Sequence, residues 1–227
     1  MEALDAHRGL RRRQLGQLSS ILDSLDRDEH APTAVREAER ATRIHLADSL
    51  VALELDAVRT ATSLADLGSG AGFPGLPLAV ALPGARISLV ESQQRRCEFL
   101  ERVCAHAEIG NATVVRARVE EWREGSSRND AVLARALAPQ TVVLEYAAPL
   151  LRLGGTLVDW RGKRVQAEED ASARAAEELG LRRVEIRQVQ PFDGATDRHL
   201  HLYSKVRETP ERFPRRAGMA RKRPLGR

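Results

Sequence analysis

The chain has 227 residues, 42% hydrophobic and 30% charged, which is enough apolar material for one α/β domain with an appendage and too much for a disordered chain. The net charge is only +4 at a pI near 9.6, because the excess is local: Lys205 to Arg227 carries nine basic residues against Glu208 and Glu211. No apolar run is long enough to span a bilayer and the N-terminus MEALDAHRGLRRR lacks a signal-peptide core, so a cytoplasmic protein with no membrane partner is expected.

Residues 1–55 read as a helical cap. Leu15, Leu18, Leu22 and Leu25 recur on one helical face, His30, Ala31 and Pro32 interrupt, and a second helix is predicted from an N-cap at Thr33 through IHLADSLVALEL. Residues 56–206 alternate between strand and helix. Strands are predicted near 62–67, 86–91, 113–117, 130–134 and 155–160, and helices near 75–82, 92–108, 140–150 and 167–179. Such alternation specifies a mostly parallel sheet with helices on both faces. The last two strand-like segments, RVEIRQVQ and HLHLYSKV, are joined by only PFDGATDR, too short for a helical crossover, so they should pair antiparallel and complete a seven-stranded Rossmann-like sheet. Residues 207–227 form a basic tail that, with Pro210, Pro214 and Pro224, should lack regular structure unless docked on a partner. Cys97 and Cys104 lie seven apart on a predicted helix, about 10 Å between Cα atoms, too far for a disulfide; without a His at ligand spacing they make no zinc site, and no metal is expected.

The segment LADLGSGAGFPG places Asp66 at the end of an apolar strand, followed by Gly68, Gly70 and Gly72. Glycines there let a ligand approach the backbone of a strand-to-helix turn. The bulky Phe73 stands where a dinucleotide fingerprint needs a small residue, so the spacing suits a nucleoside with an amino-acid tail, S-adenosylmethionine, better than a nicotinamide dinucleotide. Glu91 ends the second strand, 23 residues after Gly68, where a carboxylate can accept hydrogen bonds from both ribose hydroxyls. In RARVEEW, Val119 and Glu120 fall where an adenine would lie. Arg135 closes the fourth strand at the crevice of the sheet, in a role that the residues leave open among cofactor carboxylate, substrate phosphate and positioning.

After Arg135 the sequence runs ALAP, not the Asn/Asp-Pro-Pro-aromatic turn used to methylate exocyclic nitrogens, and both cysteines lie on another helix, away from any pyrimidine-carbon mechanism. The acceptor is therefore expected to be an atom with a free lone pair, with catalysis resting on positioning and desolvation and no dedicated catalytic residue. Arg161, Lys163, Arg164, Arg215 and Arg216 are the candidate contacts to a phosphate backbone. Two other readings stand beside this one: a small-molecule methyltransferase with an incidental basic tail, and a non-catalytic ribosome-binding factor that keeps a vestigial cofactor fold.

Taken together, IHLADSL, GSGAGFPG, Glu91-Ser92, ARVEEW, LARALAP, PLLRLGG and FPRRAGMARKRPL resemble the RsmG (GidB) family of small-subunit ribosomal RNA methyltransferases, over nearly the whole chain from about Pro32. The resemblance implies a class I, S-adenosylmethionine-dependent enzyme that methylates N7 of a guanine in 16S rRNA, with the small ribosomal subunit or its RNA as partner; the protein is expected to be a monomer. It also implies that Gly68, Phe73, Val119, Glu120 and Arg135 occupy cofactor-contact positions and Glu91 the ribose position. Two departures from the family pattern are Ala31-Pro32-Thr33 in place of Asn-Leu-Thr and Arg161-Gly162 in place of Lys-Gly.

Overall fold

The computed structural model describes residues 9–28 and 42–226; the predicted break at His30-Ala31-Pro32 and the Thr33 cap lie outside them. Its centre is a seven-stranded sheet of β1 (Ser63–Leu67), β2 (Arg86–Glu91), β3 (Ala112–Arg116), β4 (Asn129–Arg135), β5 (Leu151–Arg161), β6 (Leu181–Gln188) and β7 (His199–Lys205). The spatial order is β3-β2-β1-β4-β5-β7-β6. β3 to β5 across the sheet are parallel, whereas β7 runs antiparallel to both β5 and β6. The predicted terminal hairpin is thus present, with β7 inserted between β5 and β6.

Alternation along the inner strands sorts their side chains into two cores. Leu64, Ala131, Leu133, Val158 and Trp160 face one layer; Ala65, Leu67, Val132, Ala134 and Leu157 face the other. The first layer is covered by α1 (Arg12–Arg27), by the helical stretch containing α2 (Asp48–Leu50) and α3 (Asp56–Arg59), and by α4 (Gly75–Ala81) and α5 (Gln94–His106). The second is covered by α6 (Gln140–Ala147) and α7 (Gln166–Leu179). α1 buries Leu18, Ile21 and Leu25, with Leu15 and Leu22 at the margin, so the buried stripe is rotated slightly from the predicted one. Gln14 Nε2 and Gln17 Nε2 donate to the carbonyls of Val80 (2.8 Å) and Ala107 (3.0 Å), fastening this helix to the ends of α4 and α5. Before α2, residues Thr42–Ala47 form a π-helical turn where a plain α-helix was predicted. Cys97 is buried, Cys104 half-buried, and both are free thiols. No helix of the described residues is long and apolar enough to cross a membrane.

The tail departs from expectation. It folds back on its own domain, because apolar side chains are interspersed among its charges: Phe213 and Ala220 are buried in the second core and Leu225 packs against it. Arg215 grips Glu145, which is 1% exposed, through Nε and Nη2, and α8 (Met219–Lys222) lies beyond it. Removing the cation leaves a buried carboxylate without its partner, so Arg215→Ala is expected to cost about 3 kcal/mol of stability. Urea denaturation checks this; a midpoint unchanged from the parent would show that the tail is not held by this pair.

Candidate active site

Strand register fixes the site before any side chain is considered. Leu67 pairs with Val90 on β2 and with Ala134 on β4, so the residues that follow, Gly68, Glu91 and Arg135, emerge together at the carboxyl edge of the sheet. Arg135 pairs with Trp160, and Arg161 with His199 at the start of the antiparallel β7, which extends this edge sideways. Open α/β sheets place ligands here. A larger cavity, about 1030 Å³, lies elsewhere among the described residues, between α1 and the loops that lead into β2 and β3. It sits at the amino ends of the strands, where the fold gathers neither the glycine turn nor the acids.

Two smaller cavities occupy the carboxyl edge. The first, about 250 Å³, is lined by Gly68, Glu91, Val119, Glu120, Leu137 and Tyr146, among others. Glu91 is 4% exposed; its Oε2 accepts the Gly70 N–H (3.2 Å) and its Oε1 the N–H groups of Ser92 (2.8 Å) and Gln93 (2.9 Å). The carboxylate is thereby held rigidly between the glycine turn and the start of α5, at the wall of a cavity that also presents Val119 and Leu137. That is a fitting environment for a ribose and its base. Gly68 has φ +66°, where a side chain is strained, and a Cβ on it would meet Leu137 Cδ1 at 2.5 Å, so a larger residue there would have to displace the Leu137 side chain. Asp66, Gly70, Gly72 and Phe73 line neither cavity and instead shape the turn. Asp66 Oδ2 accepts the Gly75 N–H (3.1 Å) at the head of α4, and a Cβ at Gly75 would press on Leu89 and on Asp66 itself. Gly75 is therefore a fourth required glycine of the turn.

The second cavity, about 420 Å³, is lined by Ile44, His45, Asp48, Arg135, Trp160, Arg198 and His199, among others. It meets the first at Ala136, which lines both and has φ +55°, an uncommon conformation for a residue with a Cβ. Arg135 shares a sheet face with Ala131 and Leu133 and so points to the cap. Its Nη1 donates to Asp48 Oδ2 (3.1 Å) and to the Ile44 carbonyl (3.3 Å), and its Cζ lies 5.5 Å from the centroid of Phe73, on which His45 stacks (4.6 Å, 17°). Of the roles left open for Arg135, this geometry favours positioning: it joins cap to sheet. Burial, and next the Arg135 charge, lower His45 to about 4, so the imidazole is neutral. Burial also lowers Arg135 from its ordinary value, against the raising effect of Asp48, and lifts Asp66 to about 6 despite the bond from Gly75.

The candidate RNA contacts divide. Arg161 bonds Asp159 (2.7 Å) and the Ala138 carbonyl, Arg164 is bidentate on buried Glu169, and Arg215 is held by Glu145. Lys163 and Arg216 are exposed and make no ion pair with the described residues. Several contributors to the first cavity went unforeseen, among them Leu137, Tyr146 and, from the tail, Gly218 and Arg221. The Gly218 N–H donates to Glu120 Oε1 (3.0 Å) and Arg221 Nη2 to the Leu137 carbonyl (2.9 Å), closing the cavity from above. Burial, and next the Glu120 charge, raise the Tyr146 hydroxyl above its ordinary value. The available signal was the apolar content of the tail, Phe213, Met219 and Leu225 among the arginines.

Residues 13–216 match the family described as rRNA small subunit methyltransferase G. The chain belongs to this family. Curated members include proteins named ribosomal RNA small subunit methyltransferase G from Carboxydothermus hydrogenoformans, 37% identical with 88% of this chain and 86% of that one covered, and from Chloroflexus aggregans, 37% identical with 93% and 90% covered. As a family member the chain also shares its fold with more distant solved structures. A SAM-dependent O-methyltransferase from Thermotoga maritima superposes with a TM-score of 0.56 at 17% identity, covering 79% of this chain and 74% of that one. A precorrin-6y C5,15-methyltransferase from Geobacter metallireducens gives 0.55 at 17% identity, covering 79% and 96%.

The buried acid of the turn has a thermodynamic signature. Because Asp66 is raised, the stability it contributes is complete below its ordinary 3.8 and is lost as pH rises through about 6. His45 and His201, both lowered to about 4 mainly by burial, act oppositely: their contribution is complete above 6.5 and is lost as pH falls through about 4. The two effects offset each other over this window. Asp66→Asn removes one side, so its melting temperature should fall more steeply than the parent's as the pH is lowered from 6.5 to about 4 in a fluorimetric melt. A decline parallel to the parent's would rule out the raised carboxyl.

Proposed function

We propose that this chain transfers a methyl group from S-adenosylmethionine to N7 of a guanine in 16S rRNA, acting as a cytoplasmic monomer on the RNA or particle of the small ribosomal subunit. The observation that carries the reading is the pair of cavities meeting at Ala136, one walled by Glu91 and the glycine turn, the other by the cap. The names of the curated relatives support the substrate class. When bound, the cofactor supplies an electrophilic methyl group. Gly68, Glu91 and the Val119-Glu120 segment would hold its nucleoside, while Asp66, Gly70, Gly72 and Phe73 keep the turn in shape and Arg135 keeps the cap in place.

Guanine N7 carries an in-plane lone pair and no proton, so nothing must be deprotonated before transfer. What the residues must supply is orientation and exclusion of water. The buried walls of the second cavity, with Trp160 at 7% exposure and Asp48 at 5%, provide the exclusion. Lys163 and Arg216 are the cations best placed to meet phosphate, and the tail belongs to the catalytic unit because it closes the first cavity.

Two measurements test this. Labelled methyl transfer to small-subunit particles and to stripped RNA from a strain lacking the gene should place label on a guanine at N7; label on no RNA, with transfer to a small acceptor instead, would favour a small-molecule enzyme. Glu91→Ala removes charge-assisted hydrogen bonds to the nucleoside, each worth about 1.5–3 kcal/mol, and should weaken cofactor binding by about tenfold or more in calorimetry. Unchanged affinity would take Glu91 out of the site.

A further inference from the structure

The second cavity holds an arrangement that neither the cap nor the cofactor accounts for. Asp48 is 5% exposed and spends Oδ2 on Arg135, while its Oδ1 is buried with no hydrogen-bond partner among the described residues. Arg198 Nε is likewise buried and without a hydrogen bond, 3.8 Å from that oxygen: close enough for an ion pair, too far for a hydrogen bond. A buried acceptor and a buried donor left open side by side, both on one cavity wall, are costly unless a ligand completes them. The neighbouring donor of Trp160 is already spent, Nε1 on the Asp48 carbonyl (2.8 Å), and this bond also fixes the aspartate backbone.

We infer that this cavity is a guanine-selective base pocket, in which Asp48 Oδ1 accepts from N1–H and the 2-amino group and Arg198 Nε–H donates to O6. The inference rests on the proposed guanine-N7 methyltransferase activity and names the residues that choose the base. Guanine presents an acceptor beside two donors along its Watson–Crick edge; adenine presents a donor beside an acceptor at the same positions and would set its amino group against Arg198 and its bare N1 against Asp48. A pocket built to bond a polar edge rejects a base that cannot complete it far more strongly than an apolar pocket rejects a poor fit. Gripping guanine by this edge leaves N7 free of protein hydrogen bonds, as an attacking lone pair must be. Ala136, shared with the first cavity, connects the base to the cofactor side.

The test uses small-subunit particles assembled around RNA carrying guanine, inosine or 2-aminopurine at the methylated position, with labelled S-adenosylmethionine. For the parent protein, kcat/KM should fall by about tenfold or more for inosine, which lacks the 2-amino group, and for 2-aminopurine, which lacks O6. Equal rates on all three would overturn the pocket whatever any variant does. Asp48→Asn keeps an oxygen for Arg135 and turns an amide N–H₂ into the cavity, so the preference for guanine over inosine should collapse, whatever loss of overall rate follows from weakening the Arg135 pair. A variant slowed equally on every base, with its preference intact, would make Asp48 a cap fastener only and overturn the assignment. Absence of transfer even to guanine would instead overturn the methyltransferase reading itself, and the pocket with it.

Discussion

The buried pair of Arg135 and Asp48 is the interaction on which the arrangement of the site depends. Arg135 is 16% exposed and Asp48 8% by side chain, so neither charge is comfortable without the other. The guanidinium is planted at the carboxyl end of β4 and lies over Phe73 of the glycine turn; the carboxylate arrives on the helical stretch that caps the sheet. One contact therefore ties together the fourth strand, the glycine turn and the cap, on the wall of the second cavity. The other carboxylate oxygen is left over, beside Arg198 on the wall of that cavity.

A second fastening acts on the opposite layer. Glu145 of α6 and Glu120 after β3 are both nearly enclosed, and each is completed by the tail, through Arg215 and the Gly218 backbone respectively. The cationic C-terminus thus serves partly as internal counter-charge. Of nine basic residues after the last strand begins to end, those that reach inward stabilise the fold and close the first cavity, while Arg216 keeps its charge on the surface. A tail that looks like a simple phosphate-binding arm is structural over most of its length.

Much of the fold was legible because it obeys a single period. Alternation of strand, glycine turn and helix located the parallel strands to within a few residues, and the short PFDGATDR linker dictated the antiparallel ending. The insertion of β7 inside β6 was not legible, since pairing partners of antiparallel strands depend on which edge is free after β5. The glycine turn and Glu91 stood out by spacing. The direction of Arg135 could have been read from the same rule that placed it: it is two residues from Leu133 and four from Ala131, and so shares their face, toward the cap. What the sequence withheld was long-range pairing of charge. Arg161, Arg164 and Arg215 look alike in a basic sequence, and only the fold shows each opposed by a buried acid, Asp159, Glu169 and Glu145. The docking of the tail was hidden for the same reason, because a few apolar residues among many arginines carry no periodic signal.

The proposed function requires that two adjoining cavities at the carboxyl edge take the two reactants, joined at Ala136. A structure determined with S-adenosylhomocysteine and guanosine monophosphate tests it most directly. The nucleoside of the cofactor should lie against Glu91 and the Val119-Glu120 segment, and the guanine against Asp48 and Arg198 with N7 turned toward Ala136. Cofactor density in the large cavity beside α1, or guanine seated with N7 against Asp48, would contradict it.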